Sequence, residues 1–145
     1  MYRQIESYIV DNFGEKGNFR FVIAPDDTPY ACTCATCTAL GNTEKNATPT
    51  VTELILRLSQ RFPKHTFFTT SYLTTQQVTN KQLPPNVGVI VSAIDYPLRR
   101  TDGKDEQDKK FAEQLDNWKK VTNNIYIWDY INNFDDYLTP VSYTH

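Results

Sequence analysis

Apolar positions along the 145-residue chain follow two alternating rhythms. Over residues 2–13 (YRQIESYIVDNF), Ile5, Tyr8, Ile9 and Phe13 recur every three to four residues, which predicts an amphipathic helix. Gly14 and Gly17 predict its end. Residues 19–24 (FRFVIA) form a short apolar run stopped by Pro25, the pattern of a buried strand. Helical spacing returns at Leu54, Ile55, Leu58 and Phe62. This predicts a helix over 51–62, with Thr50 as its cap, Glu53 completing a capping box and Pro63 ending it. HTFFTTSYL (65–73) is β-branched and aromatic, which predicts a second strand. VGVIVSAI (87–94) is almost continuously apolar, as expected of a strand covered on both faces. Phe111, Leu115 and Trp118 share one side of a helix predicted from about 106 to 121, and NNIYIWDYI (123–131) predicts a fourth strand.

Strands alternating with helix-length connections predict an α/β fold. The expected sheet is mostly parallel, of about four strands, with flanking helices. Residues 26–49 would then be one long connection, and a loop of that length in a compact domain is usually functional or mobile. The length fits a single domain. At 39% hydrophobic and 22% charged residues the composition is that of an ordinary globular protein. A net charge of −2 gives no reason to expect a nucleic-acid partner, which needs clustered Lys and Arg. No apolar run approaches the roughly 20 residues that cross a bilayer, so no membrane partner is expected. The opening MYRQIES predicts a helix start rather than a charged and apolar leader, so no signal peptide is expected here. There is no G-x-G-x-x-G, G-x-x-x-x-G-K-[ST], G-x-S-x-G or H-E-x-x-H.

In parallel α/β folds, sites form where the carboxyl ends of the strands meet their loops. That rule selects Asp26 and Asp27 after the first strand and Tyr72 near the end of the second. It selects Asp95 and Tyr96 after the third, and Trp128, Asp129, Tyr130, Asn132 and Asn133 in and after the fourth. Paired carboxylates beside aromatic platforms are the equipment of glycoside hydrolysis: one acid with a raised pKa, one base or nucleophile. Asp27 and Asp129 are the expected acid and base or nucleophile, with Asp95 as orienter; Tyr72, Tyr96, Trp128 and Tyr130 would contact sugar. An Asp after a strand is also a common turn former or helix cap, the blander reading that suits Asp26 best. An unpaired carboxylate is costly to bury, so Asp129, flanked by aromatics, must pair, face a cleft or mark the strand's mouth.

The Asp pair is followed by Cys32, Cys34 and Cys37, spaced C-x-C-x-x-C. Three thiolates suit a soft metal such as zinc with a fourth ligand from elsewhere. A disulfide with a spare thiol, or three plain thiols, fits the same spacing. His65 and His145 are remote in sequence from this cluster.

Taken together, the Asp-containing turn, Cys32-x-Cys34-x-x-Cys37 and the block Ile127-Trp128-Asp129-Tyr130 with Asn133-Phe134 resemble the DUF4838 family, from about Asn18 to Pro140. Asp27 matches the acidic residue usually found before the Cys cluster, and Trp128, Asp129 and Tyr130 match the family block. The family has no established catalytic residues to carry over. The resemblance implies a domain of large secreted or periplasmic bacterial proteins, grouped with TIM-barrel glycoside hydrolases and acting on or binding carbohydrate. It also implies that the predicted sheet resembles half of a (β/α)8 TIM barrel, the chain being a fragment of a larger domain; an open four-stranded α/β sandwich is the alternative. Half a barrel would have two open sheet edges, which invite pairing with a second copy. A non-catalytic glycan-binding or scaffold module and a Cys-based metal protein are the competing functions.

Overall fold

The structure, a computed structural model, describes residues 1–94 and 106–129. Among these the chain runs α1 (Tyr2–Phe13), β1 (Arg20–Val22), α2 (Ala35–Ala39), α3 (Thr48–Arg61) and β2 (Thr66–Ser71). A 3-10 turn (Leu73–Thr75), β3 (Val87–Ser92), α4 (Glu106–Lys119) and β4 (Ile125–Trp128) follow. The strands lie side by side in the order β1-β2-β3-β4, every neighbouring pair parallel. The fold is therefore α/β with an open four-stranded parallel sheet flanked by helices, consistent with half a (β/α)8 barrel.

Register decides what each face of the sheet does. Paired residues in a parallel ladder share a face, and the face alternates along each strand. Phe21, Phe67 and Val87 form one row, and Val89 pairs with Ile125 on the same face. The first buried cluster joins Ile9 of α1 and Ile55 and Leu58 of α3 with Phe62, Phe67 and Val87. The second joins Phe111 and Trp118 of α4 to Val89, Val91 and Ala93. Thus α1, α3 and α4 all cover one face. Fully burying side chains of this size stabilises the fold by about 1.5–3 kcal/mol each.

The opposite face carries Val22, Phe68, Ile90, Tyr126 and Trp128. Neither buried cluster includes a residue of that face; Val22, Tyr126 and Trp128 are 55%, 46% and 37% exposed, while Phe68 at its middle is 4% exposed. The sequence predicts cover on both faces of β3; among the described residues helices cover only one. The bare face is organised around small residues of β3. Gly88 leaves room for Phe68, whose ring lies 2.6 Å from where a Cβ would be. Phe68 in turn meets Tyr126 of β4 edge to face at 5.2 Å.

Two buried polar groups tie the layers together. His65, just before β2, is 0% exposed. Its Nε2 donates to the Gly14 carbonyl at 2.8 Å, and its Nδ1 accepts the Phe19 N–H at 3.4 Å. That pattern belongs to the neutral ring and locks the end of α1 to the start of β1. Gly14 takes φ 69°, which a β-carbon would resist. At the other end of β2 the Ser71 hydroxyl accepts from Trp118 Nε1 at 2.9 Å and Gln114 Nε2 at 2.6 Å, clamping α4 to the sheet.

The start of α3 departs from the sequence prediction. The helix begins at Thr48 with Ala47 in the cap position and Pro49 in its first turn. Pro is favourable there, because its missing N–H would have no intrahelical partner. The free N–H groups are taken by residues outside the helix: Asn46 Oδ1 accepts from Thr48 at 3.0 Å and Asn42 Oδ1 from Thr50 at 3.1 Å. Thr50 is therefore inside the helix. Glu53 turns outward to Arg57 and Lys81, at 2.8 and 2.9 Å, instead of closing a capping box.

Candidate functional site

At the C-terminal ends of the strands, Tyr72 follows β2 and Trp128 closes β4, with β3 between them. Their rings meet edge to face at 6.0 Å. Trp128 pairs in register with Ser92. The small Ser92 side chain lets rings from the flanking strands approach across β3, as Gly88, four residues earlier on the same face, leaves room for Phe68. Asp129 comes immediately after β4 and is exposed. The sequence places Asp129 inside the fourth strand; the ladder instead ends at Trp128, so this carboxylate stands at the strand's mouth and avoids the desolvation cost of burial.

The backbone after β2 is strained. Leu73 takes φ 46°, a left-handed conformation that costs a residue with a β-carbon about 1–2 kcal/mol. Both the N–H and the hydroxyl of Thr75 donate to the Tyr72 carbonyl at 3.0 Å and hold the turn. The buried Ala47 N–H donates to the Thr74 carbonyl at 2.7 Å and ties this turn to the start of α3. Tyr72 stands immediately before this turn, in extended conformation. A leucine in a left-handed turn leaves no trace in composition or periodicity, so sequence reasoning missed it.

Asp27 is exposed on the loop after β1, at the centre of a tight turn in which the Asp26 carbonyl accepts the Thr28 N–H at 2.8 Å. β1 and β4 are the outer strands of the described sheet. Three inter-strand steps of about 4.8 Å separate them, roughly 14 Å in all. Carboxylate pairs in glycosidases stand about 5–5.5 or 6.5–9.5 Å apart. The strand order thus brings Tyr72, Trp128 and Asp129 to one neighbourhood and roots Asp27 farther off. Asp95, Tyr96, Tyr130, Asn132 and Asn133 lie outside the described residues.

The loop after β1 is not irregular throughout. It contains α2 and an isolated bridge between Thr43 and Asn46. Ala31 donates to the Glu44 carbonyl at 2.7 Å, and the Lys45 ammonium sits 4.1 Å from the Tyr30 ring centroid. The buried Asn42 is its staple: Nδ2 donates to the Cys32 carbonyl at 3.2 Å, while Oδ1 accepts from the Thr50 N–H and hydroxyl. Buried amides need all their partners, and Asn42 finds its partners on two separate elements. Nothing in the local sequence distinguishes it from a turn-forming Asn.

Within this frame the sulfurs of Cys32, Cys34 and Cys37 lie within 4.8 Å of one another, and the cluster could hold a metal ion. The Cys37 N–H, the Cys37 and Cys32 thiols and the Thr36 N–H all donate to Cys34 and bring its pKa down to about 7, in that order of effect. The Cys37 thiol is pushed up, because it donates to Cys34 and Cys32 and is partly desolvated. His65, buried at the N-terminal end of β2, is not part of this cluster. A separate concavity of about 630 Å³ opens at the opposite end of the sheet, between Gln82–Pro85 and Lys119–Asn124. No carboxylate or thiol is among the described residues that line it.

The DUF4838 model, a domain of unknown function, matches residues 2–145, and the chain belongs to this family. No curated protein and no solved structure matches the chain. No helix among the described residues is long and apolar enough to cross a membrane.

Proposed function

We propose that this chain binds carbohydrate at the C-terminal ends of its strands. The observation that carries the reading is the Tyr72–Trp128 ring pair, 6.0 Å apart at the edge of the bare sheet face, with Trp128 37% exposed and Asp129 beside it. Aromatic rings with a polar tip suit the apolar face and hydroxyl edge of a sugar, and a nearby carboxylate accepts hydroxyl hydrogen bonds. The kinship that the family resemblance implies with TIM-barrel glycoside hydrolases supports the same ligand class. Hydrolysis is the finer proposal, with Asp27 and Asp129 as acid and base or nucleophile and Asp95 as orienter. Binding stands ahead of it because β1 and β4 are about 14 Å apart by strand count.

The test is a glycan-array measurement on the labelled chain. Binding to at least one oligosaccharide is expected, lost in Trp128→Ala and retained in Asp27→Asn and Asp129→Asn. Release of reducing sugar by the native chain, abolished by Asp129→Asn, would establish hydrolysis. Absence of binding to every glycan, or binding indifferent to Trp128→Ala, overturns the proposal.

A further inference from the structure

The thiol cluster is independent of the carbohydrate reading. Unpaired cysteines are among the most buried residue types, yet Cys32 and Cys34 are exposed and Cys37 is half-buried. Their burial does not account for them. Nor does the loop need the sulfurs to hold its shape. Asn42, the Ala31–Glu44 bond, the Thr43–Asn46 bridge and the Thr38 hydroxyl on the Thr33 carbonyl do that through other atoms.

What the loop does is converge three soft donors. All three sulfurs fall within 4.8 Å. Tetrahedral zinc with bonds of about 2.3 Å to sulfur sets its ligands about 3.8 Å apart. Small side-chain rotations close the difference. Cys34 stands at the N-cap position of α2 and Cys37 lies in its first turn, so C-x-x-C puts both sulfurs on one side.

We propose that Cys32, Cys34 and Cys37 bind one zinc ion through three thiolates, with a fourth coordination position open to solvent. Three sulfurs select a thiophilic cation over magnesium or calcium, which take oxygen ligands. Loading one Zn²⁺ on three thiols releases three protons and leaves the centre with one negative charge. No electron is transferred, and water supplies the fourth ligand. Asn42 is a positioning residue, because it holds the Cys32 carbonyl and thereby the first ligand.

The test uses the full chain, purified reduced and metal-free, titrated at neutral pH with Zn²⁺ against a chromophoric chelator and with Co²⁺ as an optical probe. One ion per chain is expected, with thiolate-to-cobalt charge-transfer bands and the ligand-field bands of tetrahedral cobalt. Cys32→Ser, at an exposed position, and Cys34→Ser should each weaken binding by more than about a hundredfold, beyond the range of outer-shell changes. Asn42→Ala keeps all three sulfurs and should weaken binding by about 10–100-fold. Circular dichroism of each variant separates loss of site from loss of fold. The proposal is overturned if the folded native chain takes up no stoichiometric Zn²⁺ or Co²⁺. It is equally overturned if uptake survives both serine variants. Isolation of the chain with one titratable thiol, a Cys–Cys bond and no metal overturns it as well.

Discussion

At the scale of single residues, the buried polar groups separate into satisfied and unsatisfied ones. His65, Ser71 and Asn42 each find partners on another element and act as joints. Thr69 does not. Its hydroxyl, on β2 facing Thr52, Thr75 and Trp118, is buried without a hydrogen-bond partner, beside a void too narrow for water. A buried hydroxyl without a partner costs stability that an apolar group of the same shape would not. Thr69→Val is expected to leave the chemical-denaturation midpoint unchanged or raise it, by up to about 1 kcal/mol. A loss of more than about 1 kcal/mol would mean that the hydroxyl is bonded in solution.

At the scale of elements, α3 is set by its surroundings. Its first turn is capped by Asn42 and Asn46, and its exposed side is pinned by Glu53. Lys81 first and Arg57 second hold the Glu53 carboxyl below its usual value of 4.5. A carboxyl depressed in the folded state adds stability above its unfolded pKa and loses it as pH falls through the folded one. The partners are well exposed, at 62% for Arg57 and 48% for Lys81, so solvent screens most of the effect. Glu53→Gln should therefore cost about 0.3–1 kcal/mol at pH 7. The difference from the native chain should shrink below pH 4.5 and in high salt, as read from denaturation midpoints across that range. A cost that stays constant down to pH 3 would point to packing instead.

At the scale of the whole molecule, the uneven covering of the sheet stands out. Parallel sheets are ordinarily covered on both faces, and among the described residues this one has its helices α1, α3 and α4 on a single side. β1 and β4 are its edges among the described residues. Two four-stranded sheets joined β4 to β1 around a twofold axis would make eight parallel strands, the number whose interior side chains just fill. Such a dimer would bury both bare faces and close both edges. Self-association that strengthens with concentration is the expected outcome in sedimentation equilibrium. Val22→Lys, which places a charge on the exposed β1 edge, should weaken it while the circular dichroism spectrum stays native. A chain that remains monomeric across the concentration range would remove this surface from consideration.

Sequence alone determined the main helices and strands and the parallel α/β class of the sheet. Apolar spacing in YRQIESYIVDNF, TFFTTS and VGVIVS reports local geometry directly, because a helix or strand must turn its apolar positions toward one core. It located the element ends well where Gly or Pro forces a break, as at Gly14 and Pro63. It also picked out Tyr72, Trp128 and the three cysteines. It did not tell that Thr50 lies within a helix capped by Asn42, because the cap comes from another loop. Only the tertiary structure decided that Tyr72 and Trp128 meet over Ser92 while Asp27 hangs from a strand three steps from Asp129's. Which strand lies beside which depends on long-range packing, and no local pattern of residues records it.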